Sequence, residues 1–502
     1  MTSNTAYEDL AARFHRVGVI DDALGILQWD QATIMPEGSA PARAELVATL
    51  SVLSHELLTD PQIGDLLDAS DGNSDSTGDN DDWCGANLRE MRRTYLHAIA
   101  VPADLVDARS RANAACELTW RSAREDNDYP SLLPSLEEVL RLTRDVAAAK
   151  SMALGLSPYD ALLDSYEPGA RSAAIDVVFA DLAAFLPGFL QEVLDLQNSR
   201  PVPITPEGPF PIETQRTLGR QLMRAVGFDF EHGRLDSSHH PFCGGSAGDV
   251  RITTRYDEAE FISSLMGVLH ETGHAMYEAG LPEAWRYQPV GGPLGMAIHE
   301  SQSLLIEMQV CRSRPFLTYA GPLMQKAFDG VGPAWELENV YRLYTRVEPG
   351  FIRVDADEVT YPAHIILRYR LERALIAGDL ALRDLPAAWN DGMKELLGVV
   401  PPDVRLGCLQ DIHWSGGDFG YFPTYTMGAI AAAQIYAAAR RASPDLEAYV
   451  AKGEFTPLMG WLREHVHAQG SRLVADDLLT AATGTPLDLK VFEQHLRERY
   501  LN

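Results

Sequence analysis

Apolar side chains recur at three- and four-residue steps along most of the chain, which is the spacing that places them on one face of an α-helix. Near the N-terminus the pattern runs from Tyr7 to about Leu67, with a break at Met35-Pro36-Glu37-Gly38. It therefore predicts a mainly α-helical protein. The remaining predicted helices lie at 83–154, 215–226, 257–280, 296–312, 365–375, 389–397, 430–440 and from 492 to the C-terminus.

Three stretches lack helical periodicity. Residues 199–210 contain four prolines and predict an extended connector. Residues 251–256 alternate well enough to predict a short strand, paired with residues near 235–242, which would form the only sheet. Residues 68–82 are rich in Asp, Ser, Gly and Asn and predict a mobile acidic loop. The length of 502 residues alone suggests about three domains of ordinary size, although a large helical protein can also fold around one groove. We expect a single domain over residues 1–502, with at most a small β-hairpin or sheet.

The helix at the centre of the chain has recognisable ends. Asp257 can act as its N-cap, with Glu260 at the position of a capping box. Gly280 followed by Pro282 predicts its C-terminal end, because glycine accommodates the cap and proline cannot continue a helix.

Composition and charge exclude several classes of protein. A hydrophobic share of 46% and a charged share of 23% are typical of a globular chain that buries a large core. The formal net charge of -29 disfavours binding to nucleic acids and to anionic membranes, because both carry negative charge. No uninterrupted apolar run approaches the length of a membrane span.

The cysteines and the N-terminal residues indicate in which cellular compartment the protein is expected. Five cysteines are widely scattered and have no C-x-x-C spacing, which favours reduced thiols over a disulfide framework. The first ten residues lack the basic and apolar regions of a secretion signal. We therefore expect a soluble, cytoplasmic protein.

The central helix carries an H-E-x-x-H pattern formed by His270, Glu271 and His274. In a helix the two imidazoles project from one face, one turn apart, as two ligands of one zinc ion require. The glutamate beside the first ligand could take a proton from water at the ion. The metzincin pattern is excluded, because Tyr277 and Gly280 stand where that pattern requires glycine and histidine.

A hydrolytic zinc site needs a third protein ligand, and a glutamate on the following helix can supply it. Glu300 fits best, 26 positions after His274. Glu278 and Glu283 lie too close to the end of the first helix to turn back easily, and Glu307 lies two turns further on.

Short motifs distributed over nearly the whole chain are similar to those of one enzyme family. They are Trp29-Asp30, Tyr159-Asp160, Glu167-Pro168-Gly169, His240-Pro241-Phe242, Asp249-Val-Arg251-Ile-Thr253, His270-Glu271-Thr-Gly-His274, His299-Glu300-Ser-Gln302, Ile352-Arg353-Val-Asp-Ala-Asp357 and Gly407-Cys-Leu-Gln410-Asp411-Ile-His413-Trp414. With these motifs the chain resembles the carboxypeptidase Taq family of metallocarboxypeptidases. The resemblance implies a helical, saddle-shaped fold with a deep groove, usually as a homodimer. It also implies removal of C-terminal residues from peptides with a free C-terminus, by one divalent ion per chain, zinc or cobalt.

The resemblance further implies roles for individual residues. It assigns His270, His274 and Glu300 as metal ligands and Glu271 as the general base. Because the reaction leaves negative charge on the former carbonyl oxygen, hydrogen-bond donors should face that oxygen. His413 and a tyrosine after it are the candidates, with Tyr425 preferred to Tyr421. The alternative is that these side chains simply pack a loop.

An exopeptidase must also recognise the terminal carboxylate of its substrate, which an arginine guanidinium does best. The resemblance favours Arg353, with Arg251 and Arg346 in reserve. The alternative for Arg353 is an internal ion pair with Asp355 or Asp357.

Three further residues are predicted near the site. Zinc-bound histidines usually donate their second N–H to a carboxylate or carbonyl, so His240 and Asp249 are expected behind the ligands or in the wall of the groove. In the wall of the groove, His240 would bind the substrate. His299, next to Glu300, could serve in the same way.

Two other functions remain open from the sequence. The first is an oligopeptidase of the same helical class that cleaves inside short peptides. The second is a non-catalytic acidic scaffold that keeps the metal for folding or binds peptide ends. Glu271 argues against the scaffold, because a purely structural zinc site has no need of a base beside its ligand.

Overall fold

The structure, a computed structural model, describes residues 3–70, 83–246 and 248–502. Its helices and strands form two compact units, each built from three separate stretches of the chain. Unit 1 comprises Met1–Ala98, Pro203–Tyr344 and Gly428–Val491, and unit 2 comprises Ile99–Val202, Thr345–Met427 and Phe492–Asn502. The prediction of one domain over residues 1–502, and the predicted saddle shape and groove, stay predictions.

The elements confirm a mainly helical protein with one small sheet. In chain order they are α1 (Ser3–Thr33), α2 (Ala40–Leu58), α3 (Pro61–Ser70), α4 (Trp83–Ile99), α5 (Ala103–Asp126), α6 (Tyr129–Leu154), α7 (Pro158–Leu163), α8 (Ser172–Asn198), α9 (Ile212–Val226), β1 (Gly233–Ser237), β2 (Cys243–Ser246), β3 (Asp249–Thr254), α10 (Ile262–Gly280), α11 (Gly295–Leu304), α12 (Arg314–Ala327), α13 (Leu337–Tyr344), α14 (Tyr361–Ala377), α15 (Leu385–Leu397), α16 (Pro423–Ala442), α17 (Leu446–Val450), α18 (Thr456–His465), α19 (Ala475–Thr483) and α20 (Leu489–Tyr500).

The predicted acidic loop lies mostly outside the described residues. Positions 71–82 are not part of the described chain. At its start, α3 continues to Ser70, whereas the sequence predicted a loop from Asp68. Leu66 and Leu67 are buried at the end of this helix, and their packing carries the helix past the predicted boundary.

The sheet in unit 1 has three strands in the order β1-β3-β2. β1 runs parallel to β3, with Leu235 opposite Ile252, and β2 runs antiparallel to β3, with Cys243 opposite Ile252. The strand predicted at 251–256 is present, shifted by two residues, and its predicted partner region, 235–242, overlaps the second half of β1. β2 was not predicted, because two of its four residues are glycines, which are depleted in strands.

The helix that carries the H-E-x-x-H motif, α10, begins later than the capping pattern predicted. Its first residue is Ile262, and Glu260 accepts hydrogen bonds from the backbone N–H groups of Ile262 and Ser263. Asp257 instead accepts from the N–H of Ala259, at 2.8 Å. The N-cap residue is Phe261, and Glu260, one position before it, supplies the side-chain acceptor that was predicted for Asp257. The predicted end at Gly280 is confirmed.

The core of unit 1 surrounds α10 and α11. Val268, Leu269 and Ala275 on α10 are at most 1% exposed, as is Ile298 on α11. Their neighbours in the same core include Leu222 from α9 and other apolar residues of α12, α16 and α18. Both helices are therefore held on several sides, which fixes the side chains that project from their remaining faces.

Unit 2 contains the most apolar long helix of the described chain. By length and composition α8 is apolar enough to cross a membrane, with a mean hydropathy of 1.8 over its best window. A core helix of a water-soluble protein passes the same test, and α8 buries Phe179, Leu182, Leu186 and Phe189 at helical spacing. The absence of membrane binding stays a prediction.

Candidate metal centre

The two histidines of the H-E-x-x-H motif lie one turn apart on α10, as the sequence predicted. Their ring centroids are 5.0 Å apart and nearly perpendicular. His270 is about one-fifth exposed at its side chain and His274 about one-eighth. Both imidazoles therefore stand on one face of a helix whose other faces are packed in the core.

Glu300 on α11 meets both rings. Its Oε2 atom lies 3.2 Å from Nε2 of His274 and 3.8 Å from Nε2 of His270. One donor atom from each of the three side chains lies within 4.8 Å of the others. Two imidazole nitrogens and a carboxylate oxygen at this spacing are a donor set that suits a tetrahedral zinc ion with one open position. The residues present therefore fit a divalent metal.

The Nδ1 atom of His270, on the side of the ring away from Glu300, is hydrogen-bonded to a carboxylate. Glu307 Oε2 lies 3.0 Å from Nδ1 of His270, and Glu307 Oε1 accepts a hydrogen bond from Arg312 at 2.7 Å. Burial raises the pKa of Glu307, but Arg312 and His270 outweigh it and lower the pKa to about 2. The carboxylate is thus ionised and accepts the Nδ1 proton, so the neutral form of His270, which a metal requires, has its lone pair on Nε2, toward Glu300.

The backbone explains why Glu307 reaches this position. Residues Leu305–Cys311 form a π-helical segment directly after α11. A π-helical segment rotates the following side chains relative to an α-helix, and such segments are frequent at functional sites. The sequence predicted one α-helix over 296–312 and set Glu307 aside as too distant to be a ligand. The structure places Glu307 behind His270, on the side of the ring away from Glu300.

A second histidine stands behind His274. Nδ1 of His299 is 2.6 Å from Nδ1 of His274, and Nε2 of His299 is 2.8 Å from Oε1 of Glu278. Because the carboxylate of Glu278 can only accept, His299 donates to it from Nε2, and with one proton on each ring its Nδ1 is the acceptor. His274 then donates from Nδ1, and its Nε2 lone pair is free for a metal. His299 thus lies where a supporting residue was predicted.

Glu271, the predicted base, is 6% exposed. Burial is the main cause that raises the pKa of its carboxyl group, to about 7. A carboxyl group that titrates near neutrality can both accept and return a proton, which is what a general base and acid needs. Burial lowers the pKa of His270, but Glu300 and Glu307 outweigh it and raise it to about 10. The negative charges of Glu300 and Glu307 that raise this pKa also favour the binding of a divalent cation.

Two of the predicted supporting residues make hydrogen bonds away from the two histidines, and their predicted place in the wall of the groove stays a prediction. Asp249 pairs with Arg251 on its own strand, with 3.0 Å between Asp249 Oδ1 and Arg251 Nε. The His240 side chain is exposed, while its backbone carbonyl accepts hydrogen bonds from Ser238 and Thr253. The groups behind the ligand histidines are therefore Glu307 and His299. A role for His240 in substrate binding stays a prediction.

Arg353 lies in unit 2 and is 6% exposed. Its Nε and NH2 groups donate to Asp411 Oδ1 at 3.1 and 2.9 Å, and NH1 donates to the hydroxyl of Tyr361 at 2.9 Å. Arg368, fully buried, donates to the other oxygen of Asp411 at 2.6 Å. The predicted alternative of pairing with Asp355 or Asp357 is not what the structure shows.

The Arg353 cluster is tied to the Gln-Asp-x-His-Trp motif. Gln410 Oε1 accepts from the backbone N–H of Arg353 and from Arg368 NH2, both at 2.8 Å. The side chain of Asp411 is mostly buried, yet its pKa is held below the usual range because Arg368 and Arg353 outweigh the effect of burial. Adjacent motif residues thus hold both guanidinium groups.

The predicted oxyanion donors are also in unit 2. The ring of His413 packs against Phe422 and Tyr421, with centroids 4.7 and 5.9 Å away. Burial lowers the pKa of His413 to about 4, so this imidazole is neutral at neutral pH. Tyr425 lies under the Arg353 guanidinium, 5.1 Å from its ring centroid. Tyr425 and His413 thus belong to one cluster with Arg353. Their catalytic roles stay predictions.

Comparisons with known proteins identify the family. The family described as carboxypeptidase Taq (M32) metallopeptidase matches residues 9–500. Thermostable carboxypeptidase 1 of Thermus thermophilus is 40% identical, over 100% of this chain and 99% of its own length. Carboxypeptidase 1 of Bacillus subtilis is 32% identical, over 97% and 96%.

Solved structures agree with this result. Metallocarboxypeptidase 1 of Trypanosoma cruzi has a TM-score of 0.96 at 38% identity, covering 99% of this chain and 100% of its own. The M32 carboxypeptidase of Deinococcus radiodurans has a TM-score of 0.92 at 35% identity, covering 99% of both chains. Membership of this family implies a divalent metal ion and peptide substrates. The chain belongs to the carboxypeptidase Taq (M32) family and is a metallocarboxypeptidase, which hydrolyses the C-terminal residues of peptides.

Proposed function

We propose that the enzyme binds one zinc ion per chain through His270, His274 and Glu300, with cobalt as an alternative, and that Glu271 is its general base. The observation that carries this proposal is the group of three donor atoms within 4.8 Å of one another, beside a buried glutamate. A nitrogen-rich donor set favours zinc or cobalt over magnesium or calcium, which prefer oxygen ligands alone.

The proposed reaction divides the work between the ion and the side chains. When bound, the ion polarises the scissile carbonyl and lowers the pKa of the water beside it. Glu271 takes a proton from the attacking water and later gives it to the nitrogen of the leaving residue. Burial raises the pKa of Glu271 to about 7 in the metal-free site, and the positive charge of a bound ion lowers it again, which favours the carboxylate that accepts the proton. Glu307 and His299 keep the two ligand imidazoles in the tautomers that present Nε2.

Arg353 is the proposed binding residue for the substrate's terminal carboxylate. Arg353 and Arg368 share a single carboxylate, Asp411. The pKa of His364 is lowered to about 3 and that of His413 to about 4, chiefly by burial, so neither adds charge at neutral pH. The cluster therefore carries one uncompensated positive charge, which a terminal carboxylate would neutralise. His413 and Tyr425, packed in the same cluster, are the proposed donors to the carbonyl oxygen.

A time course followed by mass spectrometry tests the proposed chemistry. An unblocked peptide incubated with the zinc- or cobalt-loaded enzyme should lose residues one at a time from its C-terminus. A chelator should stop the loss, and added zinc should restore it. The same peptide with a C-terminal amide should react far more slowly. Equal rates on both forms would instead favour the oligopeptidase alternative.

Assembly and location are part of the proposal. We infer a cytoplasmic homodimer that binds neither nucleic acid nor membranes. The net charge of -29 supports the absence of anionic partners, and five free cysteines are consistent with a reducing compartment. Light scattering of the purified protein should give twice the chain mass of 55.2 kDa. A mass of one chain would contradict the dimer.

A further inference from the structure

Two glycines lie against the segment that carries Glu300. Gly273, on α10 immediately before the ligand His274, faces the backbone of α11. A Cβ atom added at Gly273 would lie 2.4 Å from the carbonyl oxygen of Gln302 and 2.6 Å from Cα of Ser303. Both distances are far shorter than real carbon contacts, and both partners are main-chain atoms that cannot turn away.

Gly428, on α16, approaches α11 at Glu300 itself. A Cβ atom at this position would lie 2.9 Å from Cβ and 3.1 Å from Cγ of Glu300, and 3.0 Å from the carbonyl oxygen of Ala297. The atoms it would displace therefore include the stem of a metal ligand. Gly273, Gly428 and Glu300 all belong to unit 1.

Backbone conformation does not account for either glycine. Both lie inside α-helices, and neither is among the residues with positive φ. Glycine in a helix interior is less favourable than alanine, because it loses more conformational freedom on folding. What requires glycine at these two positions is the close approach of the neighbouring helix.

We propose that Gly273 and Gly428 are positioning residues for Glu300, which set the distance of its carboxylate from His270 and His274. This inference rests on the proposed metal site. Metal–ligand distances tolerate errors of only about 0.2 Å. A methyl group at either glycine has to displace α11 or the stem of Glu300 by several tenths of an ångström. Metal affinity should fall before the fold is lost.

The test compares Gly428→Ala with two glycine-to-alanine controls in other helices. Gly460, inside α18, has no atom within 4 Å of its added Cβ. Gly392, inside α15, is crowded by Leu367 Cδ1 at 2.3 Å but touches no metal ligand. Competition with a chromophoric chelator gives the zinc dissociation constant. The visible absorption of the cobalt form reports ligand geometry independently of activity.

Gly428→Ala should weaken zinc binding about tenfold or more, the range seen when supporting residues of zinc sites are changed. Its cobalt spectrum should also shift. Gly460→Ala and Gly392→Ala should keep wild-type affinity and spectrum, even where Gly392→Ala lowers the melting temperature. Unchanged affinity and spectrum in Gly428→Ala would overturn the proposal, as would an equal loss of affinity in Gly392→Ala.

Gly273→Ala provides a second variant that crowds α11 from the opposite helix, and it should give the same loss of affinity. If neither variant folds while Gly392→Ala does, the close approach serves the packing of unit 1 as a whole, and the positioning role is rejected. His274→Ala separates this inference from the site assignment. If that variant still binds zinc at wild-type affinity, the proposed ligand set is wrong.

Discussion

The Nδ1 atoms of His274 and His299 lie 2.6 Å apart, so one of these two rings donates its proton to the other. Glu278, hydrogen-bonded to the far nitrogen of His299 at 2.8 Å, decides the direction. It accepts the Nε2 proton of His299, which leaves His299 as the acceptor for His274. A histidine therefore stands behind His274, whereas a zinc-bound histidine usually has a carboxylate or carbonyl at that position. His270, held directly by Glu307, shows the usual arrangement in the same site.

Removing the His299 side chain should weaken metal binding. In His299→Ala, the Nδ1 proton of His274 loses its acceptor and the ring is free to change tautomer and rotate. We expect a loss of about 10–100-fold in zinc affinity, measured by chelator competition. His55, an exposed histidine on α2, provides the control. His55→Ala should bind zinc as the wild type does, and a wild-type affinity in His299→Ala would show that the hydrogen bond plays no part.

Replacing Glu271 by glutamine should separate chemistry from metal binding. Glutamine keeps the shape of the side chain but cannot accept and return a proton. We expect kcat to fall by about 10²–10⁴-fold, the usual contribution of general acid–base catalysis, while one zinc ion per chain remains. Metal analysis of the purified variant and its rate on an unblocked peptide give the two quantities. Substantial turnover by this variant would exclude Glu271 as the base.

Arg353→Ala should remove the preference for a free C-terminus. For the unblocked peptide, loss of the charge-assisted hydrogen bonds should cost about 2 kcal/mol or more, which is about 30-fold in kcat/KM. For the amidated peptide, kcat/KM should change little, because it lacks the carboxylate. The selectivity ratio between the two peptides is thus the informative readout.

Arg346 provides the matched control for that experiment. It is a reserve candidate from the sequence, and its side chain is 44% exposed and pairs with Glu348. Arg346→Ala should keep the wild-type selectivity. If Arg346→Ala loses the selectivity and Arg353→Ala keeps it, the assignments of these two arginines are reversed.

The sequence predicted the parts of the candidate metal centre that depend on local spacing. His270 and His274 meet because residues four apart in a helix share a face. Glu300 could be named because a third ligand on the next helix was required and the family resemblance agreed. The helical periodicity likewise predicted most of the helices, because a helix that buries one face carries apolar residues at three- and four-residue steps.

The residues that hydrogen-bond to His270 and Arg353 could not be predicted from the spacing of residues in the sequence. Glu307 reaches His270 only because a π-helical segment turns it inward, and no residue pattern for that segment was recognised. Arg353 pairs with Asp411, 58 positions away, whereas the nearby Asp357 accepts the backbone N–H groups of Glu348, Val359 and Thr360. Tertiary packing determines which residues pair with a buried charge, and the spacing of apolar residues along the chain contains no information about such distant partners.

The C-terminal helix offers a prediction about stability. Glu358 in unit 2 is buried and accepts hydrogen bonds from three residues of α20: His495 at 2.9 Å, Arg499 at 3.0 Å and Tyr500 at 3.1 Å. Burial raises the pKa of Glu358, but His495 and Arg499 outweigh it and lower the pKa to about 2. Burial also lowers the pKa of His495, so we assign most of the effect to Arg499, whose charge does not depend on pH in this range.

Glu358→Gln should therefore destabilise unit 2 by about 3 kcal/mol at pH 7, as expected when one partner of a buried ion pair is removed. The folded pKa lies below the unfolded value of about 4.5, so the contribution of the carboxylate is complete above that pH and is lost as the pH falls toward 2. The difference between wild type and variant in the free energy of unfolding, measured with urea, should shrink over that interval.

Glu192, which pairs with Arg497 of the same helix at the surface, is the control. Glu192→Gln should cost about 0.5 kcal/mol or less, because exposed ion pairs contribute little. A difference between wild type and Glu358→Gln that stays constant from pH 7 to pH 2 would show that the ionised carboxylate does not stabilise the docked helix.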